Sequence, residues 1–458
     1  MPAAVVLAAL GALGGGGASC AANDDPSTAR DPRVEDVSAE GGVVVDGEAD
    51  PDAGRAVSMH DAATSDAAPE PVVCASSQCA TALVTTLDAF GYRRSGFCAL
   101  LQDKTVACWG DNHSAQLALN PDLITGIPGS AVPVRVGGLT DIRYLDRGCA
   151  IDGAGATWCW GTGPYLQSTS SPTTTEVTPV KLPIPPARKV SVGWADSTDP
   201  MLAYVVGCAV VDSGVLCWGT NGMGHLGAPE LGVPPSKVYE ARSIAMPGGA
   251  AIERLVVGWA AFALRADGTV MSWGANPPLG RTSSLFPDPY PMPIPLAGVS
   301  QLEVVDDTAC AVVQGIGYCW GANPDVVFHT EKRMTYATPA PILTPEPIVD
   351  IATTSTWNAA KPMRPGARGC AVGLSGNVYC WGPNESGQVG DGSRDYAMSP
   401  VKVPGLPGRA SRVKVTLDAS CALLVSGEVY CWGDNAWGQL GDDDMKVPSL
   451  VPQKVLLP

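Results

Sequence analysis

The chain has 458 residues, which is enough for a large hydrophobic core or for several domains. Its 45 acidic and 29 basic residues give a net charge of −16 at pH 7. Affinity for nucleic acid depends on cationic groups that neutralise phosphates, so this balance argues against a nucleic-acid partner.

Residues 1–19 have the pattern of a signal peptide. The apolar run from Ala3 to Leu13 is too short to span a bilayer, and small residues follow it up to Ser19. Small residues that lead to a single cysteine resemble a bacterial lipoprotein cleavage site. We therefore predict that Cys20 is lipidated and forms the mature N-terminus, with an ordinary cleaved signal peptide as the alternative.

Residues 20–72 form a predicted disordered acidic tether. Residues 21–72 contain 13 acidic and 3 basic residues, so this segment carries −10 of the net charge of −16. It is rich in Asp, Ala, Glu, Gly and Pro and cannot bury a core. We expect it to hold the following domain away from a membrane surface.

From residue 73 to residue 458 a repeat governs the sequence. A Trp-Gly pair recurs at intervals of 51, 58, 55, 47, 61 and 51 residues, a period typical of propeller blades. Each pair follows a predicted β-hairpin, an upstream run of alternating polarity such as Arg412–Val415, and a still earlier run such as Pro400–Val403 that starts with proline. The seven pairs begin at Trp109, Trp160, Trp218, Trp273, Trp320, Trp381 and Trp432.

Four short strands per copy predict an all-β fold, a seven-bladed β-propeller of four-stranded blades, with each tryptophan filling the wedge between neighbouring sheets. Copy 1 lacks a proline-started strand, and the chain ends with Pro452–Leu457, a strand of that kind. We therefore predict that this last strand pairs into the first blade and closes the ring.

Most of the 15 cysteines flank the hairpins in pairs. Copy 4 has lost both members together and carries Phe262 and Ser272 instead, as cross-strand disulfides predict. Zinc sites are the alternative, but two cysteines on a hairpin without a nearby histidine supply only two ligands. Disulfides in this number indicate an oxidising compartment. The predicted pairs are Cys98 with Cys108, Cys149 with Cys159, Cys208 with Cys217, Cys310 with Cys319, Cys370 with Cys380, Cys421 with Cys431, and Cys74 with Cys79.

The last copy, from Cys421 through Tyr430-Cys431-Trp432-Gly433 to Gly438-Gln439-Leu440-Gly441, resembles the repeat of the regulator of chromosome condensation family. The resemblance extends over roughly residues 83–458 and implies a seven-bladed propeller. By family analogy it also implies a guanine-nucleotide exchange factor.

Residues that would support chemistry are scarce. The four histidines fall at non-equivalent positions, and we expect those of the repeats, His113, His225 and His329, to be solvated or capping residues on loops. The proline-rich stretches 183–186, 287–295 and 339–347 are interpreted as edge strands and connectors rather than peptide ligands. We predict no catalytic residue, no cofactor and no metal site, because the sequence has no Gly-rich phosphate loop, HEXXH motif, G-x-S-x-G motif or calcium-loop spacing. A carbohydrate-active enzyme would need paired carboxylates, and the repeat places none at recurring inward positions.

The tryptophans outside the hairpin pattern are candidates for contact with a partner at one rim, with simple packing as the alternative. They are Trp194, Trp259, Trp357 and Trp437.

These features together predict an exported, lipid-anchored, monomeric propeller that binds another protein and is not an enzyme. We expect it in the cell envelope, as an outer-membrane or periplasmic lipoprotein, or else secreted. The alternatives are a carbohydrate-active propeller enzyme and an exchange factor, although export argues against the latter.

Overall fold

The computed structural model describes residues 68–76, 78–86, 96–120, 129–168, 170–195, 204–234, 236–322, 335–355 and 367–458. Within these ranges, 28 strands form seven antiparallel sheets of four strands each. No helix in the described ranges has the length and apolarity needed to cross a membrane. Residues 1–67, which include the predicted signal peptide, Cys20 and most of the tether, lie outside the described residues.

Each blade takes its strands in chain order. Blade 1 is β1 (Ala80–Thr85), β2 (Gly96–Leu101), β3 (Val106–Asp111) and β4 (Gly129–Arg135). Blade 2 is β5 (Ile142–Asp146), β6 (Cys149–Asp152), β7 (Thr157–Gly163) and β8 (Thr174–Lys181). Blade 3 is β9 (Ala187–Ala195), β10 (Tyr204–Val211), β11 (Gly214–Gly219) and β12 (Tyr239–Ile244). Blade 4 is β13 (Ile252–Val257), β14 (Ala260–Arg265), β15 (Val270–Gly274) and β16 (Asp288–Pro293).

The remaining blades follow the same plan. Blade 5 is β17 (Val299–Val305), β18 (Thr308–Val313), β19 (Ile316–Ala322) and β20 (Thr335–Ile342). Blade 6 is β21 (Ile348–Thr353), β22 (Gly369–Gly373), β23 (Val378–Gly382) and β24 (Ala397–Lys402). Blade 7 is β25 (Ala410–Val415), β26 (Ala419–Leu424), β27 (Val429–Gly433) and β28 (Ser449–Lys454). The first strand of each blade contacts the first strand of the next, and β25 contacts β1, so the predicted seven-bladed ring is confirmed.

The seven Trp-Gly tryptophans are buried between neighbouring blades. In six blades the indole Nε1 donates a hydrogen bond to a backbone carbonyl in a loop of the preceding blade, as from Trp160 to Gln116 (2.9 Å) and from Trp432 to Gln388 (3.0 Å). Gly207 and Gly369 lie opposite their tryptophans, where an added Cβ would come within 2.3 Å of the indole ring. The seven tryptophans therefore fill the wedges between blades, and six of them also bond their blade to the preceding one.

All seven predicted cysteine pairs are disulfides in the structure. In the six hairpin pairs the two cysteines lie directly opposite each other, with Cα atoms 4.0–4.1 Å apart. Facing residues of an antiparallel pair come this close only where no ladder hydrogen bonds join them. The hairpin bridges therefore link the two middle strands of six blades, and they join Cys98 to Cys108, Cys149 to Cys159, Cys208 to Cys217, Cys310 to Cys319, Cys370 to Cys380, and Cys421 to Cys431.

The seventh bridge joins Cys74 to Cys79 and lies outside the hairpins. Its cysteines are only five positions apart, with Cα atoms 5.7 Å apart, so it closes a short loop just before β1. Cys79 is fully buried beside the turn at Gly427 in blade 7.

The predicted exchange of the last strand into the first blade is wrong. β28 pairs with β27, so the outer strand of every blade follows the hairpin of that blade. The ring closes by packing instead: Trp109 donates a hydrogen bond to the carbonyl of Gln439 (3.1 Å), and Val455 and Leu457 are buried in a cluster shared by blades 1 and 7.

The segment that precedes β1 lies on blade 7. Val73 N donates to Val425 O (2.8 Å) and Ala80 N donates to Gly427 O (2.9 Å). Glu70 pairs with Arg409 at 2.9 Å. Contacts with the propeller thus begin before residue 73, inside the segment assigned to the tether from sequence.

Candidate functional site

The first strands of the blades surround a central channel with a cavity of about 340 Å³. Two register positions on these strands supply many of its lining side chains, and the blades differ there in charge. At the first position, the residue lies opposite the first hairpin cysteine of its blade, or opposite Phe262 in blade 4. In the order of blades 1 to 7 these residues are Val84, Asp146, Ser191, Val256, Glu303, Ala352 and Lys414. Two residues earlier lie Ala82, Tyr144, Lys189, Arg254, Gln301, Asp350 and Arg412.

Glu303 is the centre of an ion network that crosses the channel. Its carboxylate lies 2.5 Å from Lys414 Nζ, 2.7 Å from Arg254 Nη2 and 3.3 Å from Arg147 Nη2. The guanidinium of Arg147 also donates to the carbonyl of Val304 at 2.8 Å. These residues belong to blades 2, 4, 5 and 7, so the network ties together strands that are distant in the sequence.

Burial and charge act in opposite directions on the channel carboxyl groups. Burial acts to raise the pKa of Glu303, but Lys414, Arg254 and Arg147 overcome it and lower the pKa to about 2. For Asp146 and Asp350 burial dominates and raises the pKa, although nearby arginine and lysine side chains oppose it. Glu303 is therefore held as a carboxylate, whereas Asp146 and Asp350 take up a proton more readily than ordinary aspartates.

The expectation that carboxylates avoid recurring inward positions is wrong in part. Asp146 and Glu303 occupy the same register position in blades 2 and 5, and Asp350 and the exposed Glu253 also line the channel. The sequence did not reveal this shared position, because Asp146 lies 3 residues before its hairpin cysteine and Glu303 lies 7 residues before its own. The sequence could not show that Arg147, in the turn after β5, reaches Glu303 in blade 5.

The candidate partner-binding tryptophans have different positions. Trp194 belongs to β9 and is not a loop residue. Trp259, in the short turn between β13 and β14, is partly buried against the apolar cluster of blades 3 and 4. Trp437, between β27 and β28, is partly buried, with its ring 4.8 Å from that of His113. Trp357 lies outside the described residues.

Two buried polar side chains join neighbouring blades. His225 is fully buried and its Nε2 lies 2.9 Å from Gly258 O, so the expectation of a solvated or capping histidine is wrong here. Burial lowers the pKa of His225 to about 4, and the ring is neutral at pH 7. Arg368 in blade 6 donates to the carbonyl oxygens of Gln388 (3.0 Å) and Ala419 (2.8 Å). Both side chains act in the packing of the ring.

Blade 4, which lacks the hairpin disulfide, uses Ser272 differently. Arg281 donates from Nε to Ser272 Oγ (3.3 Å) and from Nη2 to Ser272 O (3.1 Å). The same guanidinium forms an ion pair of 2.7 Å with Asp288, which also accepts from Ser283 Oγ at 2.7 Å. Arg281 and Asp288 are almost buried, so they fix the loop that leads into β16.

This fixed loop and β16 expose a group of large apolar side chains, which we call the blade 4 patch. Phe286 is 59% exposed and Tyr290 is 56% exposed. The strand itself has prolines at every second position, so its outer edge offers few N–H donors for pairing with another strand. The prediction that the proline-rich stretch 287–295 forms an edge strand is confirmed, because β16 is the outer strand of blade 4. Any contact with a partner at this edge must therefore be made by side chains. The patch consists of Leu285, Phe286, Tyr290 and Met292.

Seven four-stranded blades define a propeller of repeated hairpins. Each blade has a buried Trp-Gly pair, and in six of them the indole N–H bonds to a loop of the preceding blade. Residues 375–422 and 426–458 match the family model of the regulator of chromosome condensation (RCC1) repeat. This part of the chain thus consists of repeats of the regulator of chromosome condensation type.

Similarity to curated proteins covers part of the chain. The human E3 ubiquitin-protein ligase HERC2 is 27% identical over 238 residues, which are 40% of this chain and 5% of that protein. The ultraviolet-B receptor UVR8 of Arabidopsis thaliana is 34% identical over 86 residues, 19% of each chain. The chain therefore matches only a small part of each relative.

Solved structures share the fold. Prp20p of Saccharomyces cerevisiae superposes with a TM-score of 0.57 at 20% identity, covering 76% of this chain and 85% of Prp20p. Human WBSCR16 superposes with a TM-score of 0.59 at 19% identity, covering 77% and 94%.

Proposed function

We propose that this protein is an exported, lipid-anchored propeller that binds another protein in the cell envelope through the blade 4 patch. The observation that carries the binding role is the fixed apolar loop of blade 4. In blade 4, Ser272 occupies the position of the second hairpin cysteine and accepts hydrogen bonds from Arg281. Arg281 also pairs with Asp288, and these contacts fix the loop that exposes Phe286.

The patch has the properties of a protein-binding surface. Aromatic and methionine side chains are enriched where proteins meet, and central aromatic residues often contribute most of the binding energy. The buried ion pair between Arg281 and Asp288 holds the loop in place before binding, so little ordering entropy is lost on association. A partner with a complementary apolar surface suits these side chains.

The proposed location rests on the cysteines and the N-terminus. Disulfides between the middle strands of six blades are stable only where thiols are oxidised, which favours export. The sequence around Cys20 favours a lipid anchor over free secretion.

The alternatives receive less support. The reported structure of Prp20p concerns its binding to Gsp1p and histones, which favours protein binding as a use of this scaffold. An exchange factor of this family would act inside the cell, and disulfides are rare in cytosolic and nuclear proteins. A glycoside hydrolase needs a carboxylate that is free to act as base or nucleophile, but the carboxylate of Glu303 is already paired with three cations.

The anchor is tested by fractionation. Replacing Cys20 by serine is expected to move the protein from the membrane fraction to the soluble periplasm or the medium, because a serine cannot carry the lipid. Immunoblotting of the fractions from a bacterial expression host measures the change. The same distribution for the variant and the wild type would rule out the anchor at Cys20 and leave the binding proposal untouched.

The binding surface is tested by site-specific crosslinking in cells. A photo-reactive phenylalanine analogue at Tyr290 is expected to give a defined adduct with an envelope protein. The same analogue at Ser399, the equivalent exposed register position on β24 of blade 6, serves as the matched control. Substitution of Phe286 by serine should remove the adduct. The control is substitution of Tyr396 by serine, which changes an exposed aromatic residue just before β24 of blade 6 and should leave the adduct in place. An adduct of equal yield from Ser399, or one that survives the change at Phe286, would contradict a binding role for the blade 4 patch.

A further inference from the structure

The channel cavity is open at one end and deep at the other. Along β5 the exposure of the charged side chains falls from 62% for Arg143, at the start of the strand, to 13% for Arg147, just beyond its end. Arg147 and Glu303 meet across the inner end of the channel. The cavity is thus a pocket with a mouth on the face that carries the turns of the hairpins.

The pocket is cationic although the chain as a whole is acidic. Six cationic side chains and four carboxylates line it, an excess of two positive charges even if every carboxyl group is ionised. Glu303 is already paired with three of the cations. The cations are Arg143, Arg147, Lys189, Arg254, Arg412 and Lys414, and the carboxylates are Asp146, Glu253, Glu303 and Asp350.

Two of these cations form no direct ion pair. In the part of the chain that the structure describes, neither Lys189 nor Arg412 has a carboxylate within 4.0 Å. Lys189 lies over the ring of Tyr144, with Nζ 4.9 Å from its centroid. Burial lowers the pKa of Lys189, Glu253 opposes this and Arg254 adds to it. A partly buried ammonium group that is not paired directly with a carboxylate can be stabilised by a bound anion.

One side of the pocket carries no charge. Blade 1 contributes Thr81, Ala82, Leu83, Val84, Thr85 and Leu100. Its two register positions hold Ala82 and Val84, whereas every other blade has a charged residue at one or both of these positions. The pocket therefore has one apolar wall at blade 1, and cationic side chains of blades 2 and 7 lie on either side of it.

We propose that the channel binds a small organic anion, with its anionic group at Lys189 and Arg412 and its apolar body against the blade 1 wall. A volume of about 340 Å³ is near the lower end of the range for small-molecule sites and exceeds what a bare inorganic anion fills. Arginine and lysine together recognise phosphate, phosphonate or carboxylate oxygens through charge-assisted hydrogen bonds. This site is separate from the blade 4 patch and does not depend on protein binding there.

Three probes separate the elements of the proposal in calorimetric titrations of the full-length protein. Phenyl phosphate carries both the anion and the apolar body, inorganic phosphate carries the charge alone, and benzyl alcohol carries the ring alone. Phenyl phosphate is expected to bind at least tenfold more tightly than either of the others, and the affinity should fall as salt screens the charges. Absence of binding of phenyl phosphate up to about 10 mM would overturn the proposal. Equal affinity for inorganic phosphate would overturn the apolar contact, and equal affinity for benzyl alcohol would overturn the anion site.

Variants locate the site. Lys189→Met and Arg412→Met are each expected to weaken phenyl phosphate binding by about tenfold, because each removes a charge-assisted hydrogen bond. Arg188→Met, an exposed neighbour of Lys189 on β9 that pairs with exposed Asp212, is the matched control and should bind like the wild type. The charge-conserving Lys189→Arg should retain binding and shows whether Lys189→Met acts by charge or by misfolding. Variants that melt and bind like the wild type at both positions would overturn the assignment.

Discussion

Replacement of Cys421 and Cys431 by alanine is expected to lower the free energy of unfolding by roughly 2–3 kcal/mol, the chain-entropy value for a loop of about ten residues. The melting temperature should fall by roughly 3–5 °C. The free energy of unfolding of a typical domain is about 5–15 kcal/mol. Loss of all six hairpin disulfides should exceed this stability, and the chain should then fail to refold. The hairpin cysteines are almost completely buried, so reduction requires prior unfolding.

Two measurements check this expectation. Thermal unfolding is followed by circular dichroism for the wild type and the double variant, and refolding from denaturant is compared with and without reductant. Non-reduced peptide mapping should recover Cys370 linked to Cys380 and Cys421 linked to Cys431. The variant Cys20→Ser is the control, since it removes a cysteine outside the hairpins and should melt like the wild type. Linkages between different blades, or full refolding of the reduced chain, would contradict the assignment.

Replacement of Glu303 by glutamine is expected to lower the free energy of unfolding by about 3 kcal/mol at pH 7. The change leaves Lys414, Arg254 and Arg147 facing one another without their shared anion, and breaking a buried pair on one side typically costs 3–5 kcal/mol. The control is Glu428→Gln, which removes an exposed pair of 2.7 Å with Lys454 and should change stability by less than about 1 kcal/mol.

The same residue predicts a pH dependence with a definite sign. The pKa of Glu303 falls from its ordinary value of 4.5 to about 2 on folding, because Lys414, Arg254 and Arg147 outweigh the effect of burial. Its stabilisation is therefore complete above pH 4.5 and is lost as the pH falls toward 2. Asp146 and Asp350 act in the opposite sense, since burial raises their pKa and protonation of the folded state offsets part of the loss.

Denaturant unfolding across this pH range isolates the contribution of Glu303. The difference in stability between wild type and Glu303→Gln should be about 3 kcal/mol at neutral pH and should shrink toward zero near pH 2. A difference that stays constant with pH would show that the glutamine acts through packing and not through the lost charge. Equal effects of Glu303→Gln and Glu428→Gln would remove the ion network as a source of stability.

The sequence by itself determined the parts of this protein that depend on near neighbours. A hairpin brings residues about ten positions apart into direct opposition, so Cys421 and Cys431 could be paired without knowledge of the rest of the fold. The Trp-Gly period likewise predicted the number of blades, because each repeat is one sheet that must bury its faces against the next.

The sequence could not show at which strand each blade begins and ends. A periodic pattern gives the same strands whether a blade is taken to begin before or after its proline-started strand, so Pro452–Leu457 was placed in blade 1 although β28 completes blade 7. Only the hydrogen-bonded register between β27 and β28 decides where one blade ends.

The candidate sites also depend on tertiary structure. Arg147 and Glu303 are 156 positions apart and meet only because a closed ring of seven blades places their strands across one axis. In blade 4 the loss of two cysteines was visible in the sequence, but the hold of Ser272 on Arg281 was not, because a loop of variable length lies between them. Local pairing is encoded within a few residues, whereas convergence of charges and the fixing of a loop arise from packing over the whole ring.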